Sequence, residues 1–478
     1  MKKPISHDFL NFFVSKGDLL DLQILATVAY SSQFEFPLLE NEIFRRLVDV
    51  SVVRYLQDDV RLGEVTGESS PPSYSLFQSK LRQLVEGGVL LEHNSYFCFY
   101  DKEAGADKNK ISSPLKTWVE NRHKKTANTT SVRRSGCKLI SLALKLGWIK
   151  AIGITGSVAA GSAKKDDDLD LLVVTAPGTL WLVRLLVLIF SIIEGKKSFS
   201  LVGVNLVKKN SWCFNLWMES GSLLLPLEKH TAFDAFEAIQ IDWIYDSENI
   251  QEQFLKSNDW MGKLLVNHHK PVTLSQKIAE DEAAKNPLSW LNRLIFKISG
   301  AHLHRKNKIP VENLKLDQAF LHDGVSHLNY IDQWRRLFNV ALLKKCHQDD
   351  RPVGLVTGVF DLLHQGHLLF LNQAQARMKE LGGCLLIGVE SDSRVKKLKG
   401  EGRPIENQEQ RKSKLIATQL ADVVFILPEK FDSESDHLQL IKKIRPSQLL
   451  VSEHTPFLDR KKKADEGCGW GGGGNLRA

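Results

Sequence analysis

The feature that most constrains the fold is an apolar run that stops at a glycine and passes into a helical pattern. Residues 353–356 are apolar, Gly358 follows, and the helical pattern begins at Leu368. A strand that turns at a glycine into a helix places backbone N–H groups at a helix N-terminus, where an anion binds well. His364 and His367 stand three residues apart, so both face one side of a helical turn. Two imidazoles beside an anion site indicate stabilisation of phosphoryl charge.

This stretch resembles the H-x-G-H signature of the cytidylyltransferase-like nucleotidyltransferases, which include glycerol-3-phosphate cytidylyltransferase and the heptose-phosphate adenylyltransferases. The resemblance implies that a phosphorylated sugar, polyol or alcohol attacks the α-phosphate of CTP or ATP, with release of pyrophosphate and help from Mg²⁺. His364 and His367 would bind the phosphates and stabilise the charged transition state. The resemblance also implies nucleotide contacts from Thr357, Gly358, Phe360, Asp361 and Gly366.

Two later segments extend the resemblance to the heptose-phosphate type. Residues 391–395 precede a stretch that runs from Lys399 to Ile405, and Arg411 lies before a short apolar segment at 421–424. The resemblance implies that Lys399 and Arg411 contact the triphosphate and neutralise the departing pyrophosphate. The alternative is a pair of solvated surface cations, because lysine and arginine are common on surfaces.

Strand and helix patterns alternate throughout this part of the chain, which predicts a mostly parallel, Rossmann-like sheet with helices on both faces. Ligands of such sheets bind at the carboxyl ends of the strands, where the histidine motif lies. The predicted strands are 353–357, 384–389, 422–426 and 448–451, and the predicted helices are 367–380, 408–420 and 435–443.

The predicted domain covers residues 351–460, and beyond it the resemblance ends. The family's S-T-T-like segment is not found, and residues 461–478 form a glycine-rich tail that cannot bury a core. The abrupt change in composition after Lys463 motivates the hypothesis that a frameshift or truncation produced the tail. If the tail is real, we expect the terminal domain to be impaired.

A second constellation of chemically useful residues lies in the middle of the chain. Gly156 and Ser157 follow a short predicted strand, and Asp168 and Asp170 open a strongly apolar one. Alternation along a strand points both carboxylates to one side. Such a pair suits a hard divalent cation, and the glycine–serine turn can donate hydrogen bonds to phosphates. The alternative is an acidic turn before a buried strand.

This arrangement resembles the DNA polymerase β-type nucleotidyltransferase signature, which implies an α+β fold and metal-assisted nucleotidyl transfer to a hydroxyl. By the resemblance, the glycine–serine turn holds phosphates, and Asp168 and Asp170 bind Mg²⁺ and are catalytic. Asp167 stands where the family often has serine. The family's third carboxylate stays open between the position of Asn215, which carries no charge, and Glu219.

The N-terminal part, residues 1–105, resembles a winged helix: two helices between 19 and 46, a third near 76–86, and a hairpin with a turn at His93 and Asn94. The third helix carries only Lys80 and Arg82 as cations, so intramolecular docking or docking to protein is favoured over binding to DNA.

The remaining segments complete the predicted domain organisation. Residues 106–275 form the polymerase β-type domain and 276–350 a helical region. Within them, the basic stretch 102–134 is predicted to be a solvated linker or helix face. The region 228–345 is predicted to be mainly helical.

Bulk properties place the chain in the reducing cytoplasm. Its 478 residues carry six scattered cysteines, which argue against a disulfide framework or zinc site, and no signal peptide is evident. The apolar run 180–193 is shorter than the ~20 residues that span a bilayer, so a buried helix is predicted; a membrane-surface helix is the alternative. The net charge of +8 permits anionic ligands without indicating nucleic acid.

The sequence therefore predicts an α/β multidomain protein: a winged-helix-like part, a central α+β transferase domain and a C-terminal Rossmann-like domain. The first hypothesis is an enzyme with two nucleotidyltransferase modules, which also allows a homodimer. The alternative is a nucleotide-binding regulator with inactive transferase domains and a winged-helix interaction module. The choice between CTP and ATP and the identity of either acceptor stay open.

Overall fold

The structure is a computed structural model of the chain. It describes residues 18–58, 70–100, 114–163, 167–195, 211–267, 287–307, 311–321, 325–431 and 433–452. The glycine-rich tail lies outside the described residues.

The described residues of the N-terminal part form four helices and a small antiparallel sheet with the strand order β1-β3-β2. The helix at 74–86 and the hairpin after it agree with the sequence prediction, and the turn of the hairpin is made by Asn94 and Ser95 at positive φ. The helix at 50–58 was not predicted. The elements are α1 (Asp18–Ser32), β1 (Leu38–Leu39), α2 (Glu40–Arg45), α3 (Val50–Asp58), α4 (Tyr74–Glu86), β2 (Leu91–His93) and β3 (Tyr96–Cys98).

Between residues 114 and 348, the part of the chain that the structure describes contains a five-stranded sheet with the order β7-β4-β5-β6-β8, in which β5 and β6 are parallel and the other neighbouring pairs are antiparallel. Its elements are α5 (Pro114–Leu146), β4 (Ile149–Ile154), α6 (Gly156–Ala159), β5 (Leu169–Thr175), α7 (Leu180–Ile193), β6 (Trp212–Glu219), α8 (Ala232–Ile239), β7 (Asp242–Asp246), α9 (Ile250–Ser257), α10 (Ser289–Asn307), β8 (Gln318–Phe320) and α11 (Val325–Gln348).

The structure makes two sequence predictions for this part more specific. Much of the basic stretch predicted as a linker or helix face belongs to α5, a single helix of 33 residues. The region predicted to be mainly helical also supplies the two edge strands β7 and β8. Both strands are short, and β7 is only half-buried, so neither shows the long apolar run by which a central strand is recognised.

Layers of helices cover both faces of the central sheet because its middle strand is apolar on both sides. Val173 of β5 packs in a cluster with residues of α5, α7 and α10. Leu172 and Val174, which point the other way, pack in a cluster with α1 and α8. The carboxylate pair therefore lies at the start of a strand held from both faces.

The C-terminal part is a four-stranded parallel sheet with the order β11-β10-β9-β12, as the alternating pattern predicts. One further helix, at 392–399, was not predicted. The elements are β9 (Val353–Gly358), α12 (Gln365–Glu380), β10 (Cys384–Val389), α13 (Asp392–Lys399), α14 (Gln408–Ala417), β11 (Val423–Ile426), α15 (Glu434–Ile444) and β12 (Gln448–Leu449).

The chain order places a topological switch point beside β9. From β9 the sheet grows through β10 to β11 on one side, and β12 is added on the other. Ligands of open parallel sheets bind outside the carboxyl ends of the strands at such a point. The histidine motif follows directly from β9, so the fold brings it to this position.

The N-terminal helices and α11 pack onto the face of the C-terminal sheet opposite α12. Val353 and Leu355 of β9 share one core cluster with residues of α1, α3 and α11. Hydrogen bonds also join α11 to the N-terminal helices: Trp334 Nε1 donates to the carbonyl of Ala26 at 2.8 Å, and Arg335 Nε donates to that of Leu56 at 2.9 Å. The three parts of the chain are therefore joined by a continuous core.

The apolar helix α7 is only partly buried. Its inner side includes the fully buried Trp181 and Val187, whereas Leu185, Ile189 and Ile193 are exposed. Within the described ranges, no helix combines the length and the hydropathy that crossing a bilayer requires.

Candidate functional site

The loop after β9 is tightly folded, and steric constraints explain why residue 358, at the end of the strand, is a glycine. Phe360 and Leu362 both have positive φ, 51° and 60°, which costs energy in residues other than glycine. A Cβ on Gly358 would lie 2.9 Å from the ring of Phe360. The glycine thus allows the Phe360 ring to fold back over the end of the strand.

The two histidines of the motif meet at the N-terminus of α12. His364 is the N-cap of this helix, and its Nδ1 accepts a hydrogen bond from the backbone N–H of His367 at 3.4 Å. The two rings stack with centroids 3.7 Å apart and an interplanar angle of 23°. Phe360 packs edge-on against His367 at 5.3 Å. The structure thus brings together the two residues predicted to bind phosphate.

Electrostatics favour the neutral form of His367. Burial, and then the charges of His364 and Lys399, lower the pKa of this imidazole below its usual value. Its Nδ1 is buried and has no hydrogen-bond partner among the described residues. Gly366, predicted to contact the nucleotide, keeps space beside the pair, because a Cβ there would lie 3.1 Å from the His364 ring.

Lys399 is the exposed last residue of α13, and its charge reaches His367. Thr357, at the carboxyl end of β9, is partly exposed on the same edge of the sheet. These two predicted site residues therefore lie around the histidine pair and remain accessible to a ligand.

Asp361, predicted to contact the nucleotide, is instead engaged by the protein. Its side chain is fully buried; one oxygen accepts from Arg403 at 2.8 Å, and the other accepts from the backbone N–H groups of Ile405 and Glu406 at 2.9 and 3.2 Å. Burial raises the pKa of Asp361, but these hydrogen bonds outweigh it and hold the pKa below its usual value. The carboxylate anchors the 400–406 loop to the motif loop.

Arg411, predicted to contact the triphosphate, is also engaged by the protein. Its side chain is fully buried within α14 and donates four hydrogen bonds to protein acceptors. The acceptors are the carbonyls of Val359 (2.6 Å), Glu390 (2.8 Å) and Glu406 (2.9 Å) and the carboxylate of Asp392 (2.6 Å). Arg411 therefore ties the loops after β9 and β10 to the 400–406 loop.

The structure also brings together the candidate site residues of the central part. Asp170 lies on β5, and its Oδ1 accepts a hydrogen bond from Asn215 Nδ2 at 2.6 Å. A Cβ on Gly156 would lie 2.6 Å from the other oxygen of Asp170, so only glycine allows this close approach. Burial, then the charges of Asp168 and Asp167, raise the pKa of Asp170 to about 6.

The neighbouring polar groups fix the loop around this carboxylate. Ser157 donates its hydroxyl to Asp167 at 2.9 Å, and Asp168 accepts the backbone N–H of Ser211 at 2.9 Å. Asp167, which departs from the family's usual serine, thus holds the serine of the glycine–serine turn.

Neither position considered for the third carboxylate supplies one to the site. Asn215 contacts Asp170 but carries no charge. Glu219 is buried and accepts the backbone N–H groups of Gly178, Thr179 and Leu180 at 2.9 to 3.2 Å, so it caps the start of α7.

Sequence reasoning missed Glu237, which α8 brings to the glycine–serine turn. Gly156 donates its backbone N–H to Glu237, and burial, Asp234 and Asp170 raise the pKa of Glu237 to about 7. No motif in the sequence marks this residue, because α8 is distant in sequence from β5, the strand that carries Asp170. In the part of the chain that the structure describes, no three His, Cys, Asp or Glu side chains are grouped to hold a metal ion.

Comparison with known proteins identifies the C-terminal part. Residues 355–468 match the family described as Cytidylyltransferase-like. The Bifunctional protein HldE of Aliarcobacter butzleri is 34% identical over 145 residues, which are 30% of this chain and 29% of that protein. The protein of the same name from Campylobacter concisus is 42% identical over 100 residues, which are 21% of this chain and 19% of that protein.

A solved structure also matches, the lipopolysaccharide core biosynthesis protein of Thermoplasma volcanium GSS1. It has 21% sequence identity and a TM-score of 0.21, and the match covers 26% of this chain and 94% of that one. At this score it supports no conclusion. This chain spans less than a third of the length of the curated relatives it matches.

The comparisons confirm the predicted cytidylyltransferase-like domain at the C-terminal end, a domain type of nucleotidyltransferases. The parallel sheet agrees with a Rossmann-like fold.

Proposed function

We propose that the C-terminal domain, residues 351–460, transfers CMP or AMP from a nucleoside triphosphate to a phosphorylated sugar, polyol or alcohol and releases pyrophosphate. The observation that carries this proposal is the stacked pair His364 and His367 at the N-terminus of α12, on the carboxyl edge of a parallel sheet. The similarity to the proteins named Bifunctional protein HldE supports a sugar phosphate as the acceptor.

Each accessible group has a separate role in nucleotidyl transfer. The triphosphate lies at the N-terminus of α12, where backbone N–H groups and the helix dipole favour an anion. His364 and His367 donate hydrogen bonds to its phosphates and stabilise charge as the acceptor attacks the α-phosphate. Lys399 stabilises the departing pyrophosphate from the exposed end of α13. Thr357 and the glycines of the motif let the ligand approach the backbone.

Two of the predicted site residues contribute indirectly, by holding the loops of the site in position. Arg411 and Asp361 have their hydrogen-bonding capacity largely taken up by protein groups, so we assign them to positioning. They fix the motif loop against the loops on either side. A site held to within about 0.5 Å depends on such support, because small displacements of reacting groups are costly.

The test is pyrophosphate release by the full chain with CTP or ATP, Mg²⁺ and a panel of glycerol, ribitol and heptose phosphates. We expect release with one nucleotide and at least one acceptor. His367→Ala should reduce it by about 1,000-fold, whereas His437→Ala, which changes a partly exposed histidine of α15 outside the motif, should leave it unchanged. Retained release in His367→Ala would refute the role of this residue.

A second candidate function belongs to the central domain, residues 106–275: metal-dependent nucleotidyl transfer to a hydroxyl. The observation that favours it is the approach of Asp170 to Gly156, where a Cβ would collide with the carboxylate. Asp168 and Asp170 would hold Mg²⁺, since carboxylate oxygens are its preferred protein ligands. When bound, the ion would neutralise phosphate charge. Gly156 and Ser157 would position the phosphates.

This candidate is tested with [α-³²P]-labelled CTP and ATP and a panel of hydroxyl compounds. Label transfer that disappears in Asp170→Asn and persists in His367→Ala would assign the activity to the central site. If neither domain transfers nucleotide although the chain binds it, the regulator hypothesis replaces both proposals. The N-terminal residues 1–105 would then serve as its interaction module, with binding to protein favoured over binding to DNA.

A further inference from the structure

A cavity of about 420 Å³ lies between the N-terminal helices and the central sheet. We call it the Tyr30 cavity. Its walls come from the C-terminal end of α1 (Tyr30), from Arg46 after α2, from the glycine–serine turn, and from α8 (Asp234 and Glu237). This volume falls within the range of about 300–1,000 Å³ that is typical of small-molecule sites.

Tyr30 carries the observation that points to a ligand. The residue is 4% exposed, and its hydroxyl is buried without a hydrogen-bond partner among the described residues. Its ring is fixed by stacking on Phe236 at 4.2 Å and by an edge contact with Trp334 at 5.0 Å, so the hydroxyl cannot turn away. Buried polar groups are nearly always paired, so the unpaired hydroxyl of this cavity-lining residue indicates an absent partner.

Charge and shape define the chemistry of that partner. Three carboxylates (Asp170, Asp234 and Glu237) face two cations (Arg46 and Lys229), so a polyanion is repelled. A purely apolar ligand would leave these groups desolvated and unpaired.

The mouth of the cavity is aromatic. Phe233 and Tyr330 stack with an interplanar angle of 2°, and Phe34 packs against Tyr330 at 5.3 Å. Phe34 is 36% exposed and lies at the edge of the cavity. Flat aromatic rings pack well against the C–H face of a saturated ring, while carboxylates, guanidinium and phenol pair with hydroxyls around its rim.

We propose that the Tyr30 cavity binds a small, uncharged polyhydroxylated molecule, a sugar or a polyol, through Tyr30, Arg46 and Glu237, with Phe34 against its apolar face. The glycine–serine turn and Asp170 form one wall, so a hydroxyl of the bound ligand would face the central transfer site. That the ligand is the acceptor there rests on the second proposed function; that the cavity binds it does not.

The experiment is isothermal titration of the full chain with four probes: glycerol, D-ribose, D-glucose and myo-inositol. Nucleotide and Mg²⁺ are left out, so binding is measured apart from transfer. Cyclohexanol serves as the matched ring with a single hydroxyl. We expect saturable binding of at least one probe, and cyclohexanol to bind at least about tenfold more weakly, because sites built for hydroxyls reject analogues that lack them.

Two variants locate the binding. Tyr30→Phe removes only the unpaired hydroxyl and should weaken the probe about tenfold; Tyr100→Phe, which removes a phenol oxygen outside the cavity lining, should leave it unchanged. Phe34→Ala removes an exposed ring at the mouth and should weaken binding without unfolding the chain. Binding of none of the probes, or equal binding by Tyr30→Phe, overturns the proposal. Saturable binding without label transfer keeps the cavity site and counts against the second transferase.

Discussion

The central and C-terminal parts of the molecule place charge around their candidate sites in opposite ways. In the C-terminal part the accessible groups are imidazoles, a lysine and a helix N-terminus, and the carboxylate of the motif, Asp361, is buried in hydrogen bonds. In the central part the accessible groups are mostly carboxylates, and burial and mutual repulsion raise the pKa of Asp170 and Glu237.

Because of this difference in charge, the two parts would bind a phosphate in different ways. The C-terminal edge already has the donors that an anion needs, so a triphosphate can bind to the protein directly. The central site repels an anion until a cation neutralises its carboxylates. Two candidate transferase sites in one chain thus differ in where the compensating positive charge comes from.

The largest expected effect separates the two cations of the C-terminal part. Arg411→Ala removes four hydrogen bonds and leaves their acceptors, which lie in three loops, without a partner. It should therefore lower the free energy of unfolding by about 3–5 kcal/mol. Lys399→Ala changes an exposed side chain and should alter stability by less than about 0.5 kcal/mol, while reducing pyrophosphate release. Urea unfolding followed by tryptophan fluorescence gives both values. Equal stability of the two variants would show that Arg411 does not hold the loops.

The second prediction compares one carboxylate from each part and expects effects of opposite sign. The folded-state pKa of Asp361 is lowered, so its stabilisation is present above the unfolded pKa and is lost as the pH falls. That of Asp170 is raised to about 6, so its stabilisation is present at low pH and is lost as the pH rises through 6. At pH 8, Asp361→Asn should cost about 2 kcal/mol, and Asp170→Asn should gain about 1 kcal/mol.

Thermal unfolding at pH 8 and pH 4.5 measures this difference. The gain in Asp170→Asn should shrink at pH 4.5, where the wild-type carboxylate is protonated in the folded state. A loss of stability in Asp170→Asn at both pH values would mean that its hydrogen bond with Asn215 outweighs the cost of burying its charge, and the contrast between the two parts would fail.

The same two regions show what the sequence could and could not predict. Most of the C-terminal sheet was predictable because β9, β10 and β11 are short apolar runs, each followed by a helix, and such local patterns depend on neighbouring residues alone. The proximity of His364 and His367 was predictable for the same reason, since a spacing of three residues places two side chains on the same side of a helical turn. Asp168 and Asp170 follow from alternation along one strand.

Residues that depend on distant segments were not predictable. An arginine that binds three loops, as Arg411 does, looks in the sequence like any arginine on a helix, because three of its four acceptors are backbone carbonyls, which any residue carries. Glu237 reaches Gly156 only after the chain has passed through β6, and Glu219, which the sequence favoured equally with Asn215, is used at the start of α7 instead.

The third prediction tests whether the central site takes a divalent cation. Mg²⁺ at about ten times its dissociation constant should stabilise the chain by about 1.4 kcal/mol, because the ion relieves repulsion between Asp168 and Asp170. The shift should disappear in Asp170→Asn and persist in His367→Ala, whose change lies in the other part. Melting curves with and without EDTA measure it. An equal shift in Asp170→Asn would place the cation elsewhere.

The smallest expected effect is a proton taken up by the C-terminal site. His367 has a lowered pKa and is mostly neutral at pH 7.5 in the free protein. A bound triphosphate places negative charge beside it, raises its pKa and draws a fraction of a proton from the buffer. Calorimetric titration with the preferred nucleotide in two buffers of different ionisation enthalpy should therefore give different apparent enthalpies, with the sign of uptake. His367→Gln should abolish the difference and His437→Gln should keep it. Proton release in place of uptake would mean that the phosphates do not lie against this imidazole, and the site would then resemble the central one in depending on an added cation.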